Sequence, residues 1–406
     1  MTARRYKYAK IFRALYSFAG FIYKDLMDCG DFVHLVLQRT TKTAICPKCN
    51  RRNKLSDEVY TRIVRDLDLG PKPCYITFYE HKVYCPCGFK GTEKLEFIRP
   101  YSRYTIRFEE FVYRLCPHMS LVEVCNITGI DWKTAKDIDI FYTNRQIESL
   151  RNMFPTRIGI DEIASEKGYK FLTIIRDLDI GRVIWIGDGR KKETLDSFFA
   201  EIGPEKTASI KVIVLDMWDP YLYSIEDQCP NVDIVFDKFH IVKLVTEALD
   251  EVRRKQFAKA NDEERKNMKK KRFLILKRHD NLDDRQLQML DALMEKNTPL
   301  YKAYLLKEHI CDILDGDDFN IARKRFDDWF ENVMASEFRP FIRCMNAIKR
   351  YFFGVMNYFI HRITNASSEG FNNKINLIKR RAYGFADMEY FKMKIFQSCG
   401  VLKPAQ

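Results

Sequence analysis

Three acidic side chains stand where this chain can do chemistry. Asp161 follows the apolar run Arg157-Ile158-Gly159-Ile160, and Asp216 follows Val212-Ile213-Val214-Leu215. Short apolar runs bounded by Asp, Gly or charge read as buried strands. Both aspartates are therefore expected at the carboxyl ends of strands, where α/β sheets place their sites. The interval between them has room for two more strands and a helix, so their strands can be neighbours in one sheet. Glu369 lies far along the chain on a last helix, expected at about 366–382. There Phe371, Ile375, Ile378 and Ala382 share one helical face, and Glu369, Asn373, Asn376 and Arg380 share the other. The apolar face can pack on a sheet while the helix start, with the capping types Asn365, Ser367 and Ser368, delivers Glu369.

Carboxylates in this arrangement suit phosphodiester chemistry. Hydrolysis and transfer develop charge on both the attacking and the leaving oxygen, and two Mg²⁺ (or Mn²⁺) ions about 4 Å apart stabilise both. Such ions take few, hard oxygen ligands. Three carboxylates brought together without cations would repel one another. Taken singly, an acidic residue at a strand end reads as solvated, and Asp177, Asp179 and Asp188 are read that way; it is three in this element context that point to chemistry. Asp237-Lys-Phe-His240 closes the strand Ile234-Val235-Phe236 and opens a helix. His240 can orient a carboxylate or contact a phosphate, and a capped helix start with a partly buried histidine fits as well. Asp237 is the rival of Asp216 for the second position. Asp216 is preferred for its longer, more central strand and for Trp218-Asp219-Pro220-Tyr221, expected as a turn lining a cleft.

A second chemistry belongs to sulfur. Of 12 cysteines, six fall in the first 90 residues. Cys46-Pro-Lys-Cys49 and Cys85-Pro-Cys87 are two knuckles, and four thiolates from adjacent hairpins can close a structural Zn²⁺ site. The metal would add folding energy to a small strand module. The second knuckle is the tight CxC form, so Cys74 can replace Cys85 or Cys87. Free thiols are the plain alternative. The remaining cysteines are scattered, which suits a reducing compartment and no disulfide framework.

The elements that must position these groups follow from pattern. Residues 1–30 read as an amphipathic arm, with Phe12, Leu15, Phe18, Phe21 and Ile22 at roughly helical spacing. Residues 31–95 alternate as strands, and the cysteine pairs lie at strand ends. Ser120–Ile127, the turn Thr128-Gly129-Ile130 and a helix capped by Asp131 read as a helix-turn-helix, with Gly129 in a left-handed turn position. Its second helix exposes Lys133, Thr134, Lys136 and Asp137 to a major groove and its phosphates, although a plain helical hairpin has the same pattern. From 156 to 240 the pattern is α/β, and 240–360 is charged and helical. Lys266, Lys269, Lys270, Lys271 and Arg272 form a basic run, read as a solvated helix face with phosphate contact as the alternative. Lys374, Lys379, Arg380 and Arg381 flank Glu369 and are better placed for DNA.

The expected organisation is multidomain α+β. It has an arm and zinc-binding β module (1–100), a helix-turn-helix (101–150), an α/β catalytic domain in two parts (151–250 and 356–406) and an all-helical insertion between them (251–355). The chain has 406 residues, 46% hydrophobic, and a formal charge of +13, which points to a polyanionic partner. There is no run of 18 apolar residues and no signal-peptide pattern, so no membrane partner and a cytoplasmic, nucleoid-associated location are expected.

These motifs line up with a family. Gly159-Ile-Asp-Glu162, Lys167–Asp177, Leu215-Asp-Met-Trp-Asp-Pro-Tyr221, Phe236-Asp-Lys-Phe-His240 and Asn365-Ala-Ser-Ser-Glu-Gly-Phe-Asn-Asn-Lys-Ile-Asn376 resemble the ISL3-type insertion-sequence transposases of bacteria and archaea. The resemblance runs over roughly 40 to 400. It implies a zinc module, a helix-turn-helix and a ribonuclease-H-like catalytic domain with a helical insertion before the glutamate. It also implies Asp161, Asp216 and Glu369 as a DDE triad, supported by Asp237 and His240. The implied reaction is metal-dependent cleavage at the ends of an element and joining to target DNA. The implied partners are double-stranded DNA at element ends and target, and a second copy of the chain. A catalytically silent, transposase-derived DNA-binding protein is the alternative, and a metal-dependent nuclease without strand transfer a weaker one.

Overall fold

The computed structural model describes residues 18–150, 154–164, 170–364, 367–382 and 385–400, without the side chains of 267 and 367–369. The chain divides between Glu148 and Ser149 into two compact units.

The first unit begins with strands β1 (Phe21–Asp28), β2 (Val33–Arg39), β3 (Thr43–Ile45), β4 (Arg52–Lys54), β5 (Val59–Leu69), β6 (Lys72–Tyr84) and β7 (Lys90–Thr92). Among the described residues, the main sheet runs β1-β2-β6-β5 with β7 on β6, while β3 and β4 pair separately. Its inner face buries Phe21, Leu35, Leu37, Val64, Cys74, Ile76 and Phe78 at period two. The helical arm expected over 1–30 is not found from Phe21 onward, where the chain is a strand; residues 1–17 lie outside the described residues. A bulge between Tyr23 and Asp25 shifts the alternation. Phe21, Tyr23 and Leu26 thereby face the same core; the helix-like spacing of Phe18 and Phe21 comes from a tight turn that bridges them, and Ile22 is exposed.

Three helices follow, α1 (Ile106–Leu115), α2 (Leu121–Thr128) and α3 (Trp132–Leu150). Ser120 and Glu123 form a capping box at the start of α2, and Gly129 ends it in the left-handed region at φ 71°. Asp131 Oδ1 accepts the Thr134 backbone N–H at 2.9 Å, so α3 is capped where the sequence places its cap. Val112, Val124, Ala135 and Ile138 form the small core that sets the three helices against one another.

The second unit carries β8 (Arg157–Ala164), β9 (Phe171–Asp177), β10 (Arg182–Asp188), α4 (Lys192–Ser209), β11 (Val212–Leu215), α5 (Asp219–Gln228) and β12 (Asp233–Phe236). The sheet order is β10-β9-β8-β11-β12. β9 is antiparallel to β8 and β10, whereas β8, β11 and β12 are mutually parallel. The ends of β8, β10, β11 and β12 and the beginning of β9 therefore share one edge.

Between β12 and the last helix pair, the described residues are helical: α6 (Lys238–Lys259), α7 (Asp262–Met268), α8 (Arg272–Leu276), α9 (Asp284–Met294), α10 (Thr298–Asp315), α11 (Phe319–Ser336), α12 (Arg339–Arg350) and α13 (Phe352–His361), with one 3₁₀ turn at His279–Asn281. They pack around Phe326, Trp329 and Phe341. At Gly354, α13 comes so close to β12 that a Cβ would lie 2.4 Å from the Phe236 ring. Then come α14 (Ser367–Arg381) and α15 (Met388–Cys399). Phe198, Tyr221 and Ile225 of α4 and α5 cover one face of the sheet, and Ile375, Phe391 and Ile395 of α14 and α15 cover the other.

Four local expectations are corrected. β8 does not end at Ile160 but continues to Ala164, because Asp161, Glu162, Ile163 and Ala164 keep pairing with Ile174, Thr173, Leu172 and Phe171. Asp219-Pro220-Tyr221 opens α5 rather than a turn; proline is well suited to the first turn of a helix. Asp177 is buried, and its carboxylate faces Arg182 and accepts the Asp179 N–H at 2.9 Å. The basic run at 266–272 does not lie on one helix face, since α7 stops at Met268 and Lys270 takes a left-handed turn at φ 63° before α8.

Candidate active site and metal centre

Parallel pairing of β8 with β11 sets Ile158 beside Ile213 and Gly159 beside Val214. Continued by two residues, that register brings Asp216 alongside Asp161. Asp161 sits in mid-strand and Asp216 just past its strand end, on adjacent strands. Burial and then the neighbouring Asp216 charge push the Asp161 carboxyl above its ordinary value. The Glu162 backbone N–H donates to Asp161 Oδ1 at 2.7 Å, and Asn372 Nδ2 donates to Oδ2 at 3.1 Å.

His240 Nε2 lies 2.8 Å from Asp216 Oδ1. That hydrogen bond raises the imidazole above its usual value, favouring its cationic form. Asp237 is spent differently. It caps α6, accepting the Phe239 N–H at 3.2 Å, and is buried. Burial holds its carboxyl up, and the Asp216 and Asp161 charges add to this. The two aspartates thus have distinct surroundings: Asp216 is half-buried with a histidine partner, and Asp237 is enclosed beneath it.

The helix that carries Glu369 is fixed from the sheet side. Ile375 is fully buried, and Phe371 and Ile378 pack beside it, as the apolar stripe requires. Arg176, buried on β9, stacks over the Phe371 ring with its guanidinium carbon 4.5 Å from the centroid. The next residue, Asn372, reaches Asp161. Residues three apart share a helix face, so the backbone of Glu369 lies one turn before the Asn372 contact. The Glu369 side chain, with those of Ser367 and Ser368, lies outside what is described, as does Asn365. Lys374 and Lys379 donate to the carbonyls of Ser398 and Ala164, whereas Arg380 and Arg381 are exposed.

Sequence reasoning missed Asn372, Arg176 and Glu162. Glu162 alternates to the opposite face from Asp161, where it meets Tyr221 of α5. Burial and then Asp216 push it up to about 7. The Gly-Ile-Asp-Glu motif contained the signal for Glu162. For Asn372 only its place three residues after Glu369 hinted at a contact.

The sulfur cluster is complete. The thiols of Cys46, Cys49, Cys85 and Cys87 all lie within 4.8 Å of one another. Cys46 Sγ is 3.7 Å from Cys87 Sγ, and Cys49 Sγ is 3.5 Å from Cys85 Sγ. A tetrahedron with Zn–S bonds of about 2.3 Å has edges of about 3.8 Å, so these separations fit one zinc ion. The tight CxC knuckle therefore suffices. Cys74 is no rival, because it is buried in the sheet core near the start of β6, while Cys85 follows that strand's far end. The Cys87 backbone N–H holds the Cys85 thiol down at about 6, towards the thiolate a metal needs.

In the helix-turn-helix, Lys133 is exposed. The Lys136 ammonium lies 5.2 Å from the centroid of the exposed Trp132 ring. The Thr134 hydroxyl donates to Asp131 Oδ2 at 2.6 Å, so it completes the cap and keeps only acceptor capacity for a ligand. No helix among the described residues is long and apolar enough to cross a membrane.

Comparison with known proteins matches each part. Residues 158–395 match the transposase model of the ISL3 type, 93–142 the helix-turn-helix domain of transposase family ISL3, and 42–87 the zinc-finger of transposases IS204/IS1001/IS1096/IS1165. The transposase for insertion sequence element IS1001 of Bordetella parapertussis is 31% identical over 373 residues, covering 91% of this chain and 92% of that protein. The transposase for insertion sequence element IS1557 of Mycobacterium tuberculosis is 27% identical over 390 residues, covering 88% and 87%. The chain belongs to the ISL3 family of transposases.

Proposed function

We propose that this transposase binds the ends of an insertion sequence, cuts the phosphodiester there and joins the freed end to target DNA through Asp161, Asp216 and Glu369. The observation that carries the reading is the juxtaposition of Asp161 and Asp216 on adjacent parallel strands, with α14 tied to Asp161 through Asn372. The sheet order, with the second strand alone antiparallel to its neighbours, supports a ribonuclease-H-like catalytic domain with a helical insertion after its fifth strand. The hard-oxygen donor set suits Mg²⁺ or Mn²⁺, two ions per site, held by the three carboxylates. When bound, the ions stabilise charge on the attacking and leaving oxygens.

The chain's own groups prepare that site. His240 holds Asp216 by one oxygen and supplies positive charge beside it. Asn372 orients Asp161 by donating to one oxygen. Asp237 anchors the helix from which His240 projects. Lys133, Lys136, Arg380 and Arg381 are placed to meet DNA phosphates, Lys374 from a more tethered position, and Thr134 as an acceptor. Cys46, Cys49, Cys85 and Cys87 hold structural Zn²⁺. A homodimer on paired ends completes the reading.

The test is nicking of a labelled duplex carrying the element end, with Mg²⁺ or Mn²⁺, followed by joining to a target plasmid. Wild type should nick and join. Asp161→Ala and Asp216→Ala should each lower the rate by at least about a thousandfold with end binding retained, as expected for loss of an electrostatic stabiliser of the transition state. Full activity in either variant would sink the triad.

A further inference from the structure

The edge of the sheet that carries Asp216 also holds a cation that the triad does not use. Arg190 lies in the loop between β10 and α4. Its guanidinium carbon is 4.0 Å from the centroid of the Phe171 ring and 5.2 Å from that of Trp218. Three hydrogen bonds fix the loop beneath it. The Gly189 N–H donates to the Phe171 carbonyl at 2.8 Å, the Thr173 hydroxyl to the Gly189 carbonyl at 2.7 Å, and the Trp218 indole N–H to the Arg190 carbonyl at 3.1 Å. Gly189 holds φ 93°, and a Cβ there would meet Thr194 Oγ1 at 3.1 Å.

This cation is built into place yet stays accessible. The Arg190 side chain is 39% exposed, and Trp218 is 37% exposed. Among the described residues its acidic partner is Glu162, with Nη1 4.0 Å from Oε2, the outer limit of an ion pair and too long for a hydrogen bond. Glu162 itself turns to Tyr221. A guanidinium packed against two aromatic rings keeps a planar fork of donors, the geometry that takes two oxygens of a phosphate. Its position is equally telling. Trp218 is two residues from Asp216, and Glu162 adjoins Asp161. A DNA strand that brings a linkage to those aspartates meets carboxylates there, and Arg190 is an exposed cation at the same edge of the sheet.

We propose that Arg190, framed by Phe171 and Trp218, binds one backbone phosphate of the DNA strand beside the linkage that is cut. This rests on the active-site reading above.

The test uses the full chain and duplexes carrying the element end. In each duplex one phosphate near the cleavage position is replaced by a neutral methylphosphonate, and binding is measured. With wild type, one position should weaken binding by about tenfold or more, as for a charge-assisted hydrogen bond. Arg190→Gln should weaken binding of natural DNA by a similar factor and show no further loss at that position. Arg190→Lys should restore part of the affinity and the sensitivity. Additive losses at every position for wild type and Arg190→Gln would overturn the proposal and leave Arg190 a counter-ion of Glu162. Should Arg190→Gln not fold, Arg190→Lys decides: an unchanged position profile at full affinity overturns the proposal as well. The readout is binding, so it stands apart from the triad. Should Asp161→Ala still cut, the triad fails while the phosphate profile is unaffected.

Discussion

Glu162 shares a peptide bond with Asp161 but not a face of the sheet, and that alternation gives it a different fate. Buried near Asp216, it holds its proton up to about 7, against an ordinary value of 4.5. A carboxyl raised in the folded state lets the fold keep a proton that the unfolded chain releases. Stability from this group is thus fully present below pH 4.5 and lost as pH rises through about 7. In metal-free protein, wild type should lose roughly 3 kcal/mol relative to Glu162→Gln between those limits. Urea melts of both proteins at pH 4.5 and pH 8 in EDTA measure this, and parallel pH profiles would refute it. Asp161 and Asp216 were legible because each follows an apolar run that marks a strand, although only Asp216 lies past its strand's end. Asn372, Arg176 and Arg190 were not, because each acts through a partner that only the order of strands and helices in space supplies. Asp177 misled for the same reason: Arg182, which pairs with it, is delivered by the β9–β10 hairpin rather than by proximity on one element.

At the scale of elements, α14 is the part on which assembly turns. Its apolar stripe was readable and seats it on β8 and β9. What sets its final position is a hydrogen bond to a half-buried carboxylate and a cation–π contact on consecutive residues. Asn372→Ala removes the first. Such bonds to charged groups contribute about 1.5–3 kcal/mol, so DNA cleavage should fall by more than tenfold. DNA binding and the fold, followed by circular dichroism, should stay as in wild type, and an unchanged cleavage rate would show that the contact positions nothing. Elsewhere, legibility tracked the strength of local rules. The cap at Asp131 and the left-handed Gly129 came out as read, because capping is decided within four residues. β1 did not, because the turn that bridges Phe18 and Phe21 gives them helix-like spacing, and β8 ran past Asp161 because β9 was long enough to keep pairing with it.

For the molecule as a whole, the two units rest on different sources of stability. The second buries a large apolar core. The β3–β4 pair and the cysteine knuckles bury only Ala44, Cys46, Val83 and Cys85, with Leu55, Cys87 and Phe89 partly buried beside them, so a bound metal would add to their stability. Removing zinc with a strong chelator should raise hydrogen exchange in residues 43–54 and 82–92 by at least about a hundredfold and leave residues 157–361 unchanged. Cys85→Ser should do the same without chelator. Protection in 43–54 that survives both treatments would mean the thiols need no ion. The sheet and helix content of both units was readable from period. A boundary was expected after residue 150 from the change of pattern there, and the two compact units part after Glu148.

The bond between Asn372 and Asp161 spans 211 positions. At ribosomal speeds of about 5–20 residues per second, Asn372 is made roughly 10–40 s after Asp161. Throughout that interval the helix-turn-helix is already synthesised, while β8 still lacks the helix whose Asn372 reaches Asp161. Translation itself thus orders the two parts, completing the helix-turn-helix well before the contact that seats the last helix pair on the sheet.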